Sequence, residues 1–518
     1  MYQDDCVQGK KDMKNLSIIL IGILLGIWFF MSKGTFLIIL LTGLVLAMVI
    51  SRIKEKKERE IILIISLAAI ILRLAFSAAN YYSFLSTGKG VDFMPDARAY
   101  SASGQYIAEA LTNSHIEPDD GNEPAWVDHL RHTYRGDVPP LEYRVDTYAR
   151  YVGVIYSVFG YSPMAVKFMN SALSLFTALL VFFLARKMFS FKTAAIAFSL
   201  YVFMPSVFLW SVTGMKDPLI FFLVTSAIYI YLVHIKERIN LVEFPFLAIA
   251  ILIPNIWISI LAAGVLISSK ITRESAGFKT KLKDIIPFLI FVFILKASFS
   301  WIKLLGVHLF ISLAIAFLLS VVSFLKRKTS IWLLIITVCL GLLYPFYSNE
   351  NINIKKGFEY LSRQAISQHL TKTYSADSSY DIYPEKYYEN PGLNISLPEF
   401  IVSYVRGIIF ALFTPYPFRA AGNVFIMFAS IQMLFIYLLI PFILSGILIS
   451  LRYKWRETIL ILFFMLNIAS IFAVCEGNIG TVFRHRDILT AFSMIFGAIG
   501  ICNWLGLLDE YGERKDIE

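Results

Sequence analysis

The chain has 518 residues, of which 57% are hydrophobic and only 16% charged, with a mean hydropathy of +0.67 and a formal net charge of +10. So little charge cannot cover the surface of a soluble protein of that length; lipid must take the apolar excess. The positive balance does not point to nucleic acid, because lysine and arginine gather in short loops between apolar runs, the pattern of cytoplasmic retention.

Taken in chain order, the runs predict an all-α polytopic membrane protein of about 12–14 transmembrane helices, at roughly 20 residues per span. Two long extracytoplasmic loops carrying short helices interrupt them. Residues 16–31 and 35–50 read as a tight hairpin. Lys10, Lys11 and Lys14 precede it and SRIKEKKERE follows, so both its ends stay in the cytoplasm. The first run has no obvious cleavage site and pairs with the second, as a span does and a cleaved signal peptide does not. A third run, 61–80, exits to the far side and opens the loop 81–148, which is rich in acids and aromatics. Such a length is uncommon for a loop unless it is functional or disordered. Its His115, His129 and His132 show no metal-ligand spacing.

Residues 164–185 return inward to the basic turn RKMFSFK, 194–212 go out to TGMKDP, and 219–235 come back to KERIN. The run 244–268 is broken by Pro254-Asn255 between cytoplasmic flanks, as a re-entrant or broken pair would be. A hairpin over 285–323 and an outward run over 332–347 lead to the second long loop, polar and tyrosine-rich. Residues 399–414, interrupted by Arg406, read as an interfacial helix; 424–451, 459–474 and 488–505 complete the spans and leave both termini in the cytoplasm. The organisation is thus a hairpin (1–60), a module of spans holding the first loop (61–350), a second external loop (351–398) and a C-terminal membrane region (399–518). Cys6, Cys339, Cys475 and Cys502 are scattered and indicate neither a disulfide framework nor a zinc site.

Chemistry on an external face requires residues that converge from separate turns. Four segments qualify. In VDFMPDARAYSASGQY, Asp92, Asp96 and Tyr100 succeed one another at intervals of four. If Pro95 opens a helix, Asp96 lies in its first turn with Tyr100 on the same face. A carboxylate there serves equally as a general base or as a helix-start acid favoured by the dipole. In GMKDPL, Lys216 and Asp217 end one run and Pro218 begins the next. This is a common helix opener, or else a phosphate contact backed by helix N–H donors. In TPYPFRA, Arg419 is either an interfacial snorkelling arginine or a further cation of a site. In GNIGTVFRHRD, Arg484, His485 and Arg486 stand on the external side, against the positive-inside tendency. They suit a phosphate, or else pair with Asp487, Glu476 or acids of the first loop. No Walker A, dinucleotide fingerprint or HExxH is present. If the protein is an enzyme, activation then comes with the substrate. No metal ligand set is indicated; the acids permit a divalent ion without demanding one.

With these features in place, the order of motifs resembles the GT-C-type, polyprenyl-phosphate-dependent membrane glycosyltransferases, among them the protein O-mannosyltransferase-like and aminoarabinose-transferase-like families. The first loop's DxxxY, the ARKMF turn, FMPSVFLW, KDPL and the late NIGTVFRHR carry it. It covers 91–235 well and 414–505 loosely. It implies that Asp96 deprotonates the acceptor and that Lys216, Arg419, Arg484 and Arg486 contact a lipid-linked phosphate. Asp92, Tyr100, Asp217 and His485 complete the candidate substrate-binding set. It further implies a polyprenyl-phosphate-linked sugar donor, a glycan, lipid or protein acceptor, inverting transfer at the outer face of the plasma membrane, and no cofactor. Two features set this chain apart. Two additional spans precede the acid, and Asp96 is followed by Ala97 in place of a second acid, a part open to Asp92 or Asp146. A polysaccharide polymerase or ligase shares these features. A lipid-linked-sugar flippase or transporter would fit the broken run at Pro254-Asn255. Against transport, Arg73, Lys167 and Lys296 have no obvious acidic partner within a span.

Overall fold

A computed structural model describes residues 33–86, 92–112, 147–234, 381–390, 395–416 and 424–508, together with 366 and 393. The runs 16–31, 244–268, 285–323 and 332–347, Asp146, Lys296, Arg419 and most of both long loops lie outside these residues. Within them, the regular elements are α-helices: α1 (Lys33–Ile50), α2 (Lys56–Ser86), α3 (Pro95–Thr112), α4 (Thr147–Phe159), α5 (Pro163–Met188), α6 (Phe191–Val202) and α7 (Pro205–Ser211). There follow α8 (Asp217–His234), α9 (Lys386–Glu389), α10 (Leu397–Phe413), α11 (Val424–Tyr453), α12 (Trp455–Cys475) and α13 (Ile479–Trp504).

Four of these, α2, α5, α11 and α13, are long and apolar enough to cross a membrane, and α6 with α7 makes a fifth if the bent pair is one span. Among the described residues the protein is all-α, with the long apolar helices of a membrane protein. α5 and α13 are mostly buried, whereas α2 and α11 expose apolar side chains such as Ile64, Phe76, Leu438 and Leu448. Outside lipid, such surfaces would be unstable in water.

Local chemistry sets the helix boundaries. Proline stands first in α3, α5 and α7, where its fixed φ suits a helix and its missing N–H is not needed. Ser190 caps α6 by accepting from the Thr193 N–H, and Asn478 caps α13 by accepting from the Gly480 N–H. Arg186 and Lys187 occupy the last turn of α5, the end at which the dipole favours cations. The run 194–212 is not one straight helix as its hydropathy suggests: α6 stops at Val202 and Pro205 opens α7. Residues 147–159, which no apolar run marks, form α4.

The chain divides into two compact units: Met1–Phe176 with Phe208–Pro218, and Thr177–Val207 with Leu219–Glu518. In the first, α3 and α4 pack closely through Gly104 and Gly153, where a Cβ would collide with Val152 and Ile107 respectively. Ser101 Oγ and Tyr156 Oη meet at 2.8 Å across this pair. Arg73, fully buried on α2, donates to Ser211 Oγ at 2.9 Å and lies over the Phe208 ring. In the second unit, α11 and α13 approach until Gly446 meets the Phe496 carbonyl and Gly500 that of Phe442. α10 rests Gly407 on the Ala473 backbone of α12 in the same way. Glycine at these crossings admits the backbone contact that dispersion rewards in lipid.

Candidate functional site

Asp92 precedes α3 and is almost wholly buried. Its Oδ1 accepts from the Met94 N–H at 3.0 Å and from Asn80 Nδ2 at 3.3 Å. Its Oδ2 accepts from the Gly214 N–H at 3.0 Å and lies 3.0 Å from Lys167 Nζ, itself 1% exposed on α5. A buried carboxylate requires such partners, since desolvation without them is severe. Lys167, which has no acid within the spans, thus finds one just before the helix of the first loop. Asp92 serves here as an internal anchor, with both oxygens engaged by the protein.

Pro95 opens α3 as its sequence position predicts, and Asp96, half-buried, lies in the first turn. The next residue, Ala97, packs on Gly214: a Cβ built at Gly214 would sit 3.3 Å from that of Ala97. Two residues beyond Gly214 comes Lys216, half-buried, and then Asp217, buried in the first turn of α8. The structure therefore joins two of the four predicted segments, the one holding Asp92, Asp96 and Tyr100 and the one holding Lys216 and Asp217.

Asn170, one turn beyond Lys167 on α5, clamps the same turn from its carbonyl side. Its Nδ2 donates to Thr213 O at 2.8 Å and to Met215 O at 2.7 Å. Tyr148 Oη, fully buried, donates to Asn170 Oδ1 at 3.4 Å. Burial holds the Tyr148 phenol well above its ordinary pKa, so it remains a neutral donor. The Tyr100 ring meets Tyr148 edge to face with centroids 4.9 Å apart. Asp92, Ser101, Tyr156, Lys167 and Gly214 also border a small cavity with room for about one water molecule.

In the second unit, Arg484, His485 and Arg486 lie inside the second turn of α13; the external turn expected there ends at Asn478. His485 Nδ1 is 3.0 Å from Glu476 Oε1, one of the acids its sequence neighbourhood offers. Arg486, mostly buried, donates through Nη1 to Thr414 O at 2.5 Å and Leu412 O at 3.3 Å. Arg484 is half-buried. Asp487 accepts from Thr490 Oγ1 at 3.1 Å.

Lys167, Asn170 and Tyr148 are the residues that motif reading passes over. Lys167 is signalled by a charge inside an apolar run, which must find a partner. Asn170 follows at the i+3 position on the same face. No family model matches the chain, and no curated protein matches it.

Proposed function

We propose that the protein is a membrane glycosyltransferase that moves a sugar from a polyprenyl-phosphate-linked donor to an acceptor at the extracytoplasmic face. The observation that supports this best is the junction of the first loop's acid with the cationic turn: Ala97 rests on Gly214, with Asp96 and Lys216 close by in sequence on either side. A base and a phosphate-binding cation are the two groups that direct sugar transfer requires. The acceptor oxygen attacks the anomeric carbon while its proton passes to Asp96. The bond from that carbon to the phosphate oxygen breaks, and the lipid phosphate leaves with both bonding electrons. Lys216, with the N–H groups that open α8, offsets the charge that builds on that phosphate. The cations of α13 and Arg419 carry a separate part of the reading: Arg484 contacts lipid-linked phosphate, and Arg486 together with His485 holds that helix start in shape. The exposed apolar faces of α2 and α11 bound a lipid phase in which the polyprenyl chain dissolves.

Asp96→Asn tests this reading. In proteoliposomes with a polyprenyl-phosphate sugar as donor, the variant should lose about 10²–10⁴ in turnover, as removal of a general base does, with expression intact. Near-normal transfer by that variant would exclude Asp96 as the base.

A further inference from the structure

The junction described above is held by side chains that touch no substrate in the proposed reaction. Three successive backbone groups are each taken by a side chain: Thr213 O and Met215 O by Asn170, and the Gly214 N–H by Asp92. Asp92 is in turn held by Lys167. A turn whose peptide groups are fixed from both sides cannot rotate without breaking a buried hydrogen bond, and the next residue is Lys216. The same Asp92 fixes the chain entering α3 through the Met94 N–H, two residues before Asp96. An apolar pair would pack α5 as well or better than a buried ion pair, so packing alone does not account for it.

We infer that Lys167 and Asn170, one turn apart on α5, are positioning residues: through Asp92 and the Thr213–Met215 backbone they hold the acid of the first loop in register with the cationic turn. The inference rests on the proposed transferase reading for its catalytic consequence, but not for its geometry. Breaking the clamp leaves Asp96 and Lys216 in place chemically while loosening their mutual distance. Loss of register acts on turnover more than on ground-state binding.

The test uses Ala97→Cys with Gly214→Cys in the full chain, in detergent and in proteoliposomes. The Cβ separation of 3.3 Å is close to the disulfide range, so oxidation should cross-link the two segments readily. The pair is removed as Asp92→Asn with Lys167→Met, which leaves no unpaired charge; size-exclusion elution checks the fold. We expect cross-linking to slow about tenfold in that background, and kcat to fall about tenfold or more with donor KM within about twofold. Completing the disulfide should return kcat to that of the cross-linked protein with Asp92 and Lys167 intact. Unchanged cross-linking in a folded variant overturns the inference, as does a completed disulfide that restores no turnover. If the pair-less protein does not fold, Asn170→Ala is read by the same two measurements. Should Asp96→Asn prove fully active, the transferase reading falls and the cross-linking rate alone, which needs no turnover, decides for or against the clamp.

Discussion

At the entry to α3 a charge is met by a charge: Asp92 and Lys167 face one another at 3.0 Å, both buried. At the start of α13 a charge is met by backbone, Arg486 donating to the carbonyl oxygens of Leu412 and Thr414. Both arrangements satisfy a cation beside an apolar span, but they fail differently. Removing one member of the first leaves a lone charge in a low-dielectric interior. Removing Arg486 leaves neutral carbonyls, whose exposure to the same environment is less severe.

The largest effect that this contrast predicts is at Lys167. Lys167→Ala should destabilise the protein by about 3–5 kcal/mol, and adding Asp92→Asn should recover most of that loss. Thermal unfolding in detergent, followed by tryptophan fluorescence, measures both. A single-variant loss no larger than that of Arg486→Met would break the comparison. Arg486→Met itself should cost about 1.5–3 kcal/mol, the range for hydrogen bonds made by a charged donor. If it instead left stability intact and weakened only the binding of polyprenyl phosphate, Arg486 would be a ligand contact and not an anchor.

The contrast also shows what a sequence reader can and cannot see. The all-α membrane class follows from the long apolar runs, and Pro95 marks the start of α3 because proline's constraint is local. Lys167 is visible as an oddity, yet its partner is not, because Asp92 lies 75 positions earlier and no periodicity links the two. Hydropathy alone reads 194–212 as one run, yet proline disfavours the helical conformation in the residue before it, and α6 ends at Val202 ahead of Pro205. Arg484, His485 and Arg486 read as an external turn because charge suggests solvent. The Asn478 cap instead begins the helix earlier and carries them inside it. The glycine crossings are equally silent in sequence, since Gly446 and Gly500 meet backbone rather than a recognisable motif.

Those crossings supply the next prediction. Gly446→Ala places a methyl group against the Phe496 carbonyl, and α11 and α13 must move apart to admit it. The expected loss is about 1–3 kcal/mol, as for other overpacked interiors. Gly43→Ala, where nothing lies within 4 Å, should gain up to about 1 kcal/mol by the same thermal assay, from helix propensity alone. Helix propensity favours alanine at both positions, so equal losses would mean that the close approach at Gly446 does not set the effect.

The smallest effect concerns an ion pair of the exposed kind. In the first turn of α10, Glu399 pairs with Lys386 at 2.5 Å and accepts from Ser396 Oγ and Tyr387 Oη. These partners, Lys386 foremost, hold its carboxyl down at about 2. A depressed carboxylate contributes stability that is full above the unfolded value of 4.5 and lost as pH falls toward about 2. Above 4.5, amide exchange over residues 386–390 and 395–400 should therefore be slower than in Glu399→Gln, which lacks the pair, and the two should converge as the wild type is acidified. More precisely, the wild type is the better protected of the two above 4.5, and that advantage disappears by about 2. Because both side chains reach solvent, salt at about 1 M, with a Debye length of roughly 3 Å, should shrink the advantage. The buried Asp92–Lys167 pair should show no such salt dependence in its unfolding transition. A salt response of equal size at both places would mean that water reaches Lys167, and the distinction between a charge-locked interior and a solvated surface clamp would be lost.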